Sequence, residues 1–256
     1  MLVLTEDRGP VRHVVLNRPE KRNAFHRDLV RATGEALRTA AEDPAVRCVV
    51  LRGAGPAFSA GMDVAVLAEL SAARLRAFRR ACLEAWNLAE DMPKPVVAAI
   101  HGACLGGAME LALACDLRVL ADDAVMGLPE TRVGLVPDVG GSSRLPQVVG
   151  LGRAKELIMT GRMVGAEEAE RIGLANRVAP AARLDDATQQ LVDELLACAP
   201  VAVGLAKRLL DASARPALST TLELEVAAQE LCARTDDVRE GLAAAAERRA
   251  PRFTGG

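Results

Sequence analysis

The segment Pro95-Val-Val-Ala-Ala-Ile-His-Gly-Ala-Cys-Leu-Gly-Gly-Ala-Met-Glu110 decides how this chain folds. It begins with an unbroken apolar run, passes through a glycine-rich turn at Gly106–Gly107 and continues as a helical pattern to about Cys115. The first N–H groups of a helix have no partner within it, and with the helix dipole they can hold an anion or a developing oxyanion. The turn lacks the G-x-G-x-x-G pattern, so a dinucleotide-binding fingerprint is not indicated.

Short apolar runs alternate with helical patterns through the first 150 residues. This alternation predicts an α/β fold with parallel βαβ packing. Because the strands are apolar almost throughout, we expect a sheet that is covered on both faces. The predicted strands cover residues 11–17, 46–51, 95–100, 117–120 and 124–126, and the predicted helices between them cover 28–41 and 71–91.

The strand pattern ends at about Gly150, and only helices are predicted after it. We therefore expect an α/β core over residues 1–198 that carries the functional site, and a helical region over 199–256 that mediates oligomer contacts. Thr235 is a good N-cap for the last helix. The helices predicted in this part cover residues 153–160, 166–173, 181–198, 201–212, 217–234 and 236–249.

Composition argues against several classes of function. The 256 residues carry a formal net charge of -2 and half are hydrophobic, which indicates a globular chain without the basic excess of a nucleic-acid binder. The three histidines are scattered, so no histidine-based metal site is expected. No apolar run reaches the length of about 20 residues that a membrane span needs, and no signal peptide is evident. The six cysteines form no CxxC pair and are expected to be buried, reduced thiols of a cytoplasmic protein.

Three carboxylates mark the candidate chemistry. Glu110 precedes the apolar run Leu-Ala-Leu-Ala-Cys, where partial desolvation is expected to raise its pKa and suit it to acid or base work. A simpler interpretation is a first-turn glutamate favoured by the helix dipole. Glu130 and Asp138 follow short β segments in a Gly- and Pro-rich stretch, where active-site acids often lie. The simpler interpretation pairs Glu130 with Arg132 and makes Asp138 a turn residue.

A second glycine-containing loop, Phe58-Ser-Ala-Gly-Met-Asp63, follows the strand predicted over 46–51. A backbone N–H donor in this loop would complete a two-donor oxyanion hole with the turn at Gly106–Gly107. The alternative is an ordinary connection in which Asp63 caps a helix.

Together these segments resemble the crotonase family, the enoyl-CoA hydratase/isomerase superfamily, over essentially the whole chain. The resemblance implies a spiral of stacked ββα units with a C-terminal helical region, assembled as trimers that usually pair into hexamers. It implies acyl-CoA thioester substrates, no metal and no separate cofactor. The matching segments are Asn17-Arg-Pro-Glu-Lys-Arg-Asn-Ala24, Ser59-Ala-Gly-Met-Asp63, Leu105-Gly-Gly-Ala-Met-Glu110, Asp116 to Arg118, Pro129-Glu130 and Glu247-Arg-Arg-Ala-Pro-Arg-Phe253.

The resemblance also implies a role for each matched residue. The N–H groups of Met62 and Gly107 would form the oxyanion hole. Glu110 would act as the base toward the attacking water, and Glu130, at the spacing the hydratases show, would donate a proton to C2. The residues expected to contact CoA are Arg22, Ala24, Ala60, Asp63 and Arg248.

Asp138 departs from the hydratase pattern, which has Gly at this position. An acid here resembles dienoyl-CoA isomerases and 3-hydroxyisobutyryl-CoA hydrolases. The predicted function is therefore 2-enoyl-CoA hydratase, with double-bond isomerisation of an enoyl- or dienoyl-CoA as the alternative. Ala245 stands in the region where many hydratases carry a Phe, which implies a wider acyl pocket.

The two alternatives to an enzyme are a non-catalytic acyl-CoA binder and an RNA-binding protein. A non-catalytic acyl-CoA binder is disfavoured because both hydratase glutamates are retained. RNA binding would need a basic surface, and the overall charge favours a solvated helix face for the only notable basic cluster. That cluster comprises Arg74, Arg76, Arg79 and Arg80.

Overall fold

The structure is a computed structural model that describes residues 1–63, 66, 72–133, 135–213, 235–237, 240, 244, 247, 249 and 252–256, with residues 72–76 and 133 given by their backbone. The strands in these residues are β1 (Val3–Arg8), β2 (Val11–Leu16), β3 (Cys48–Gly53), β4 (Val96–Ile100), β5 (Ala103–Leu105), β6 (Leu117–Ala121), β7 (Val125–Gly127), β8 (Met163–Gly165) and β9 (Arg177–Ala179). The α-helices are α1 (Arg27–Glu42), α2 (Ala72–Asp91), α3 (Gly107–Ala114), α4 (Gly141–Val149), α5 (Leu151–Thr160), α6 (Ala166–Arg171), α7 (Leu184–Leu196) and α8 (Pro200–Ser213).

A six-stranded sheet in the order β1-β2-β3-β4-β6-β9 forms the body of the fold. Strand β1 pairs antiparallel with β2, and every later neighbour is parallel. Strand β4 lies at the centre, with Val49 of β3 opposite Val96 and with Leu117 of β6 opposite Val97. All five of its residues are buried. The predicted parallel sheet with both faces covered is thus confirmed.

Alternate residues of the strands enter two different cores. On one face, Leu51 and Ala98 pack with α1 and α2 in the larger cluster, which includes Leu37 and Trp86. On the other face, Val97 packs with α7 in a smaller cluster of apolar side chains. This division follows from the period of two along a strand and explains why a central strand is apolar throughout.

A second sheet of three short strands, in the order β5-β7-β8, carries the glycine-rich turn. Cys104 of β5 pairs parallel with Met126 of β7, which pairs antiparallel with Val164 of β8. The expectation that the chain contains no strands after Gly150 is wrong, because β8 and β9 lie there. Each has three residues, too short for an alternating pattern to be recognised.

Helix positions agree with the predictions to within a few residues over most of the described chain. The main omission is α4, which starts at Gly141, at the end of the Gly- and Pro-rich stretch, where no helix is predicted. Four of the cysteines are buried as expected, but Cys198 is exposed, because it lies just beyond the C-terminal end of α7. The buried thiols are those of Cys48, Cys82, Cys104 and Cys115.

Helix α8 is docked on the body by a buried lysine. Lys207 Nζ donates to the carbonyl of Ala89 at 2.7 Å and to Asp116 Oδ2 at 2.8 Å. The helix predicted over 217–234 lies outside the described residues, and so do most residues of the one predicted over 236–249. In the part of the chain that the structure describes, no helix is both long and apolar enough to cross a membrane.

Candidate active site

Glu110 lies in the first turn of α3 and points into the protein, where only 2% of the residue is exposed. Its Oε1 atom accepts the N–H groups of Val139 at 2.9 Å and Gly141 at 2.8 Å. Burial raises the pKa of Glu110 to about 7, although those two N–H groups act in the opposite direction. The negative charges of Glu130 and Asp138 raise it further. A glutamate that serves only to interact with the helix dipole can remain exposed at the helix surface. The burial of Glu110 therefore argues against that simpler interpretation.

Glu130 begins a 3-10 helix, Glu130–Val133, and directs its carboxylate toward the glycine-rich turn. A β-carbon built on Gly106 would lie 2.9 Å from Glu130 Oε1. Among the described residues, Glu130 Oε2 is buried without a hydrogen-bond partner. Burial raises the pKa of Glu130, and Asp138 adds to that effect. The simpler pairing with Arg132 is wrong, because Arg132 Nε donates to the carbonyl of Thr160 at 3.0 Å.

Asp138 is more exposed to solvent than Glu110, with 46% of its side chain accessible. Partial burial raises its pKa, and the nearby guanidinium of Arg79 opposes the shift. Arg79 Nε lies 3.3 Å from Asp138 Oδ2 and donates to the Asp138 carbonyl at 2.7 Å. Arg80, its neighbour in the predicted basic cluster, pairs with Glu84, while the side chains of Arg74 and Arg76 lie outside the described residues.

The loop that carries Met62 lies against the glycine-rich turn. Phe25 N–H donates to Gly61 O and Asp63 N–H donates to Phe25 O, so Phe25 pairs with both neighbours of Met62. In a parallel bridge of this kind the N–H of Met62 points away from Phe25. A β-carbon on Gly107 would lie 3.2 Å from Met62 Cγ, so the two residues are in contact.

Gly107 is the first residue of α3, and its N–H has no acceptor within the helix. Gly106 before it has φ 54° and ψ -128°, a conformation that is essentially restricted to glycine. The structure therefore brings together two acids, Glu110 and Glu130, with the two residues predicted to donate N–H groups, Met62 and Gly107. Such an arrangement can move a proton on a bound substrate while backbone donors hold its developing charge.

Comparison with known proteins identifies the family. A family model described as enoyl-CoA hydratase/isomerase matches residues 6–256.

The chain belongs to the enoyl-CoA hydratase/isomerase family.

Relatives of the chain align with it over nearly their full length. A crotonyl-CoA hydratase from Syntrophomonas wolfei is 35% identical, with 98% of this chain and 97% of that protein covered. An enoyl-CoA isomerase/hydratase from Mycosarcoma maydis is 37% identical, with 96% and 93% covered. The crystal structure of an enoyl-CoA hydratase from Bacillus anthracis superposes with a TM-score of 0.96 at 35% identity, with 100% of both chains covered. The predicted fold and family are confirmed.

In this enoyl-CoA hydratase/isomerase family member, four of the residues predicted to contact CoA lie on neighbouring loops. Ala60 N–H donates to Arg22 O at 2.9 Å. Asp63 Oδ2 accepts Arg18 Nη1 at 2.7 Å, and the same Arg18 atom donates to Ala24 O. The fifth residue, Arg248, lies outside the described residues, as does Ala245.

Two residues that support this site were not anticipated from the sequence. Asn23 is fully buried with φ 55°, and its Nδ2 contacts three carbonyls, those of Ala54, Ala57 and Phe58, at 2.8 to 3.1 Å. It therefore fixes the loop that leads to Met62. Trp86 donates its indole N–H to Gly107 O at 3.1 Å, and its ring lies 4.9 Å from that of Phe25. The only signals in the sequence were a single Trp and an Asn in the matched N-terminal segment.

The cavity of about 420 Å³ at the far end of α3 is separate from this site. It lies between α4 and α8, and its lining includes Asp116, Lys207 and Leu210. Neither Glu110 nor Glu130 lines it. We place the chemistry at the acids and the glycine-rich turn, because the perturbed groups converge there.

Proposed function

We propose that this protein is a 2-enoyl-CoA hydratase, which adds water across the 2,3 double bond of an enoyl-CoA thioester. The observation that carries the proposal is the pair formed by buried Glu110 and partly buried Glu130, which converge beside the Gly106–Gly107 turn, both with raised pKa values. The relatives named crotonyl-CoA hydratase and short-chain-enoyl-CoA hydratase, at 35% and 34% identity over nearly the whole chain, support the same reaction.

In the proposed reaction the substrate carbonyl rests on the N–H groups of Met62 and Gly107. Glu110 accepts a proton from water as the water oxygen bonds to C3, and the electron pair of the double bond moves toward the carbonyl oxygen. C2 then takes a proton from Glu130. Each oxyanion donor typically contributes about 3 kcal/mol to transition-state stabilisation.

The two acids affect each other's affinity for a proton. Glu130 raises the pKa of Glu110, so the pair resists holding two negative charges. A pair that shares one proton has one base and one acid available at the same time, and its apparent pKa values belong to the pair. The charge of Glu130 favours the proton on Glu110, whereas the proposed reaction starts with Glu110 ionised and Glu130 protonated, so the shared proton moves to Glu130 before water attacks.

The test is the loss of enoyl absorbance with crotonyl-CoA and longer 2-enoyl-CoA substrates. We expect turnover with the unchanged protein and losses in Glu110→Gln and Glu130→Gln that reach about 100-fold or more, because each variant lacks a general acid or base. Glu84→Gln is the matched control, since Glu84 pairs with Arg80 on the exposed side of α2. A folded protein that binds CoA but turns over none of these substrates would refute the proposal.

The second candidate is isomerisation of a 3-enoyl- or dienoyl-CoA, and Asp138 is the observation that favours it. The charge of this third acid raises the pKa of both Glu110 and Glu130, and the alternative proposal is that Asp138 takes part in proton transfer along the acyl chain. The expected result is that Asp138→Asn removes isomerase activity while hydration persists. If every isomerase activity survives in Asp138→Asn, this candidate fails.

We further propose that CoA is held by the loops that bear Arg22, Ala24, Ala60 and Asp63, with Arg248 from the C-terminal region, and that no separate cofactor or metal is needed. The proposed assembly is a cytoplasmic trimer or a pair of trimers, with residues 199–256 forming contacts between subunits. Within that region, α8 exposes the large apolar side chain of Leu210, which such contacts would cover. Light scattering of the purified protein tests the subunit number.

A further inference from the structure

The loop over residues 137–141 wraps the carboxylate of Glu110. Its inner side provides the two N–H groups, from Val139 and Gly141, that donate to Glu110 Oε1. A β-carbon on Gly141 would lie 2.9 Å from Glu110 Oε1 and 3.0 Å from Glu110 Cγ. Only glycine lets the loop approach this closely, so the position of the loop determines how well Glu110 is hydrogen-bonded.

The outer side of the same loop is held by Arg79 of α2. Arg79 Nε donates to the carbonyl of Asp138 at 2.7 Å. That carbonyl belongs to the same peptide group as the Val139 N–H. A guanidinium on the carbonyl polarises the peptide and strengthens its N–H as a donor, an effect of about 10–30% per bond. The charge of Arg79 is thus relayed through one peptide group to Glu110.

Arg144 of α4 holds the other half of the loop. Its backbone N–H donates to the carbonyl of Gly140 at 2.8 Å, and this carbonyl belongs to the peptide group whose N–H comes from Gly141. Its guanidinium lies over Gly140 and donates to Val139 O at 3.3 Å. Glu90 and Asn87 of α2 bind the far side of that guanidinium. The side chains of Arg144 and Glu90 are only 11% and 17% exposed, so the packing around them holds this ion pair in place.

We infer that Arg79 and Arg144 are positioning residues. They hold the N–H groups of the 137–141 loop against the carboxylate of Glu110 and so determine how strongly that carboxylate binds a proton. The consequence for turnover rests on the proposed hydratase function, but the consequence for the Glu110 proton does not. Neither arginine is assigned a contact with substrate.

The charged and titratable groups around Glu110 give the expected sign. Glu130 faces it from the 3-10 helix, Asp138 from the loop and the thiol of Cys82 from α2. Of the two cations behind the loop, Arg144 is paired with Glu90, while Arg79 is shared with Asp138. Loss of the Arg79 charge weakens the donors to ionised Glu110, so the neutral acid is favoured and its midpoint moves to higher pH.

The experiment is an infrared titration of the buried carboxylic acid, whose carbonyl band is assigned to Glu110 by its disappearance in Glu110→Gln. We expect the midpoint to move upward in Arg79→Gln and to return in Arg79→Lys. Arg80→Gln is the matched control, since Arg80 is the next residue of α2 and pairs with Glu84 four residues on. An unchanged midpoint in Arg79→Gln, or an equal shift in Arg80→Gln, overturns the inference.

A second background separates the peptide relay from a direct effect of the Asp138 carboxylate. If the relay operates, Arg79→Gln still moves the midpoint upward when Asp138→Asn is already present. A shift that vanishes in this background overturns the relay.

Turnover provides the independent readout. At pH values below the midpoint, we expect Arg79→Gln to lower kcat/KM by about two- to fivefold, the range for a half-exposed charge. For Arg144→Lys we expect kcat to fall by about tenfold to 100-fold with little change in KM, because a displaced loop misaligns the base. Absence of turnover in the unchanged protein with an intact infrared shift refutes the hydratase proposal alone, and normal turnover without the shift refutes the positioning role alone.

Discussion

The carboxylate of Glu130 lies against Gly106, so close that a β-carbon there would come within 2.9 Å of Glu130 Oε1. Gly106 also adopts φ 54°, and Gly107 beside it opens helix α3. One residue without a side chain therefore both permits the turn and leaves space for an acid. This relationship makes Gly106 a sensitive position even though it provides no side-chain chemistry.

For Gly106→Ala we expect a loss of stability of about 1–3 kcal/mol, because a non-glycine residue in this region of φ and ψ is strained. We also expect kcat/KM to fall by about 100-fold, since the new methyl displaces Glu130. Urea unfolding and enoyl-CoA hydration measure the two effects. Gly165→Ala is the control, because Gly165 has φ -77° and nothing within 4 Å of its added carbon. Equal behaviour of the two variants would contradict this account.

Glu110→Gln should stabilise the protein at high pH while it removes activity. Folded Glu110 keeps its proton to about pH 7, whereas the unfolded chain releases it near 4.5. The unfolded state therefore binds fewer protons in this window, and the ionised group lowers stability as the pH rises through it. Above pH 7 we expect the variant to be more stable by about 1–3 kcal/mol, with no difference near pH 4.

Unfolding of both proteins at pH 4 and pH 8 measures this difference. Gln can still accept the N–H groups of Val139 and Gly141, so the hydrogen bonds alone predict no gain. A variant that is less stable than the unchanged protein at pH 8 would show that burial does not dominate the proton affinity of Glu110.

Lys207→Met should cost up to about 3 kcal/mol of stability, because it leaves the carboxylate of Asp116, whose side chain is 21% exposed, without its cation. Asp116 Oδ2 accepts Lys207 Nζ at 2.8 Å and the Val96 N–H at 2.7 Å, which links α8 to the central strand β4. In the double variant with Asp116→Asn, part of the loss should be recovered. Denaturant unfolding of the two single variants and the double variant forms the cycle, and strictly additive losses would argue against a coupled pair.

His13→Leu should make the protein less sensitive to mild acid. His13 is 5% exposed and, among the described residues, neither ring nitrogen has a hydrogen-bond partner. Burial lowers its pKa, and Arg8 and Arg52 lower it further, while Glu6 and Asp185 act in the opposite direction. The unfolded state thus takes up a proton first, and stability is lost as the pH falls below about 6.5, by at most about 1.4 kcal/mol per pH unit.

The measurement is the midpoint of urea unfolding between pH 7 and pH 5. His101→Gln is the control, since His101 lines the same cavity of about 340 Å³ but has a partner in Gly55 O at 2.9 Å. A pH dependence that is the same in His13→Leu and in the unchanged protein would exclude this histidine as a source of acid sensitivity.

Strands β2, β3, β4 and β6 of the six-stranded sheet could be predicted because they are long enough to show a pattern. Five apolar residues in β4 indicate burial on both faces whatever surrounds them. The three-residue strands β5, β8 and β9 could not, since their pairing is decided by distant partners such as Met126 for Cys104. The residues next to a strand in the sequence do not indicate which distant strand it pairs with.

The acids of the site could be predicted from their surroundings in the sequence, but not the way they are held. Apolar neighbours indicated that Glu110 would be desolvated, and its pKa is raised as expected. Its bonds to Val139 and Gly141 depend on how α4 packs against α3, which no local pattern specifies. The same holds for Asn23, whose amide joins residues more than 30 positions away.

Trp86 gives this protein an optical reporter at its own candidate site. It is the only tryptophan in a chain that has no tyrosine, so long-wavelength excitation selects one indole. That indole is fully buried and donates to the carbonyl of Gly107. Its emission should therefore change when an acyl-CoA settles on the turn and stay constant when a ligand binds elsewhere, which allows occupancy to be followed by fluorescence in the native chain without any label.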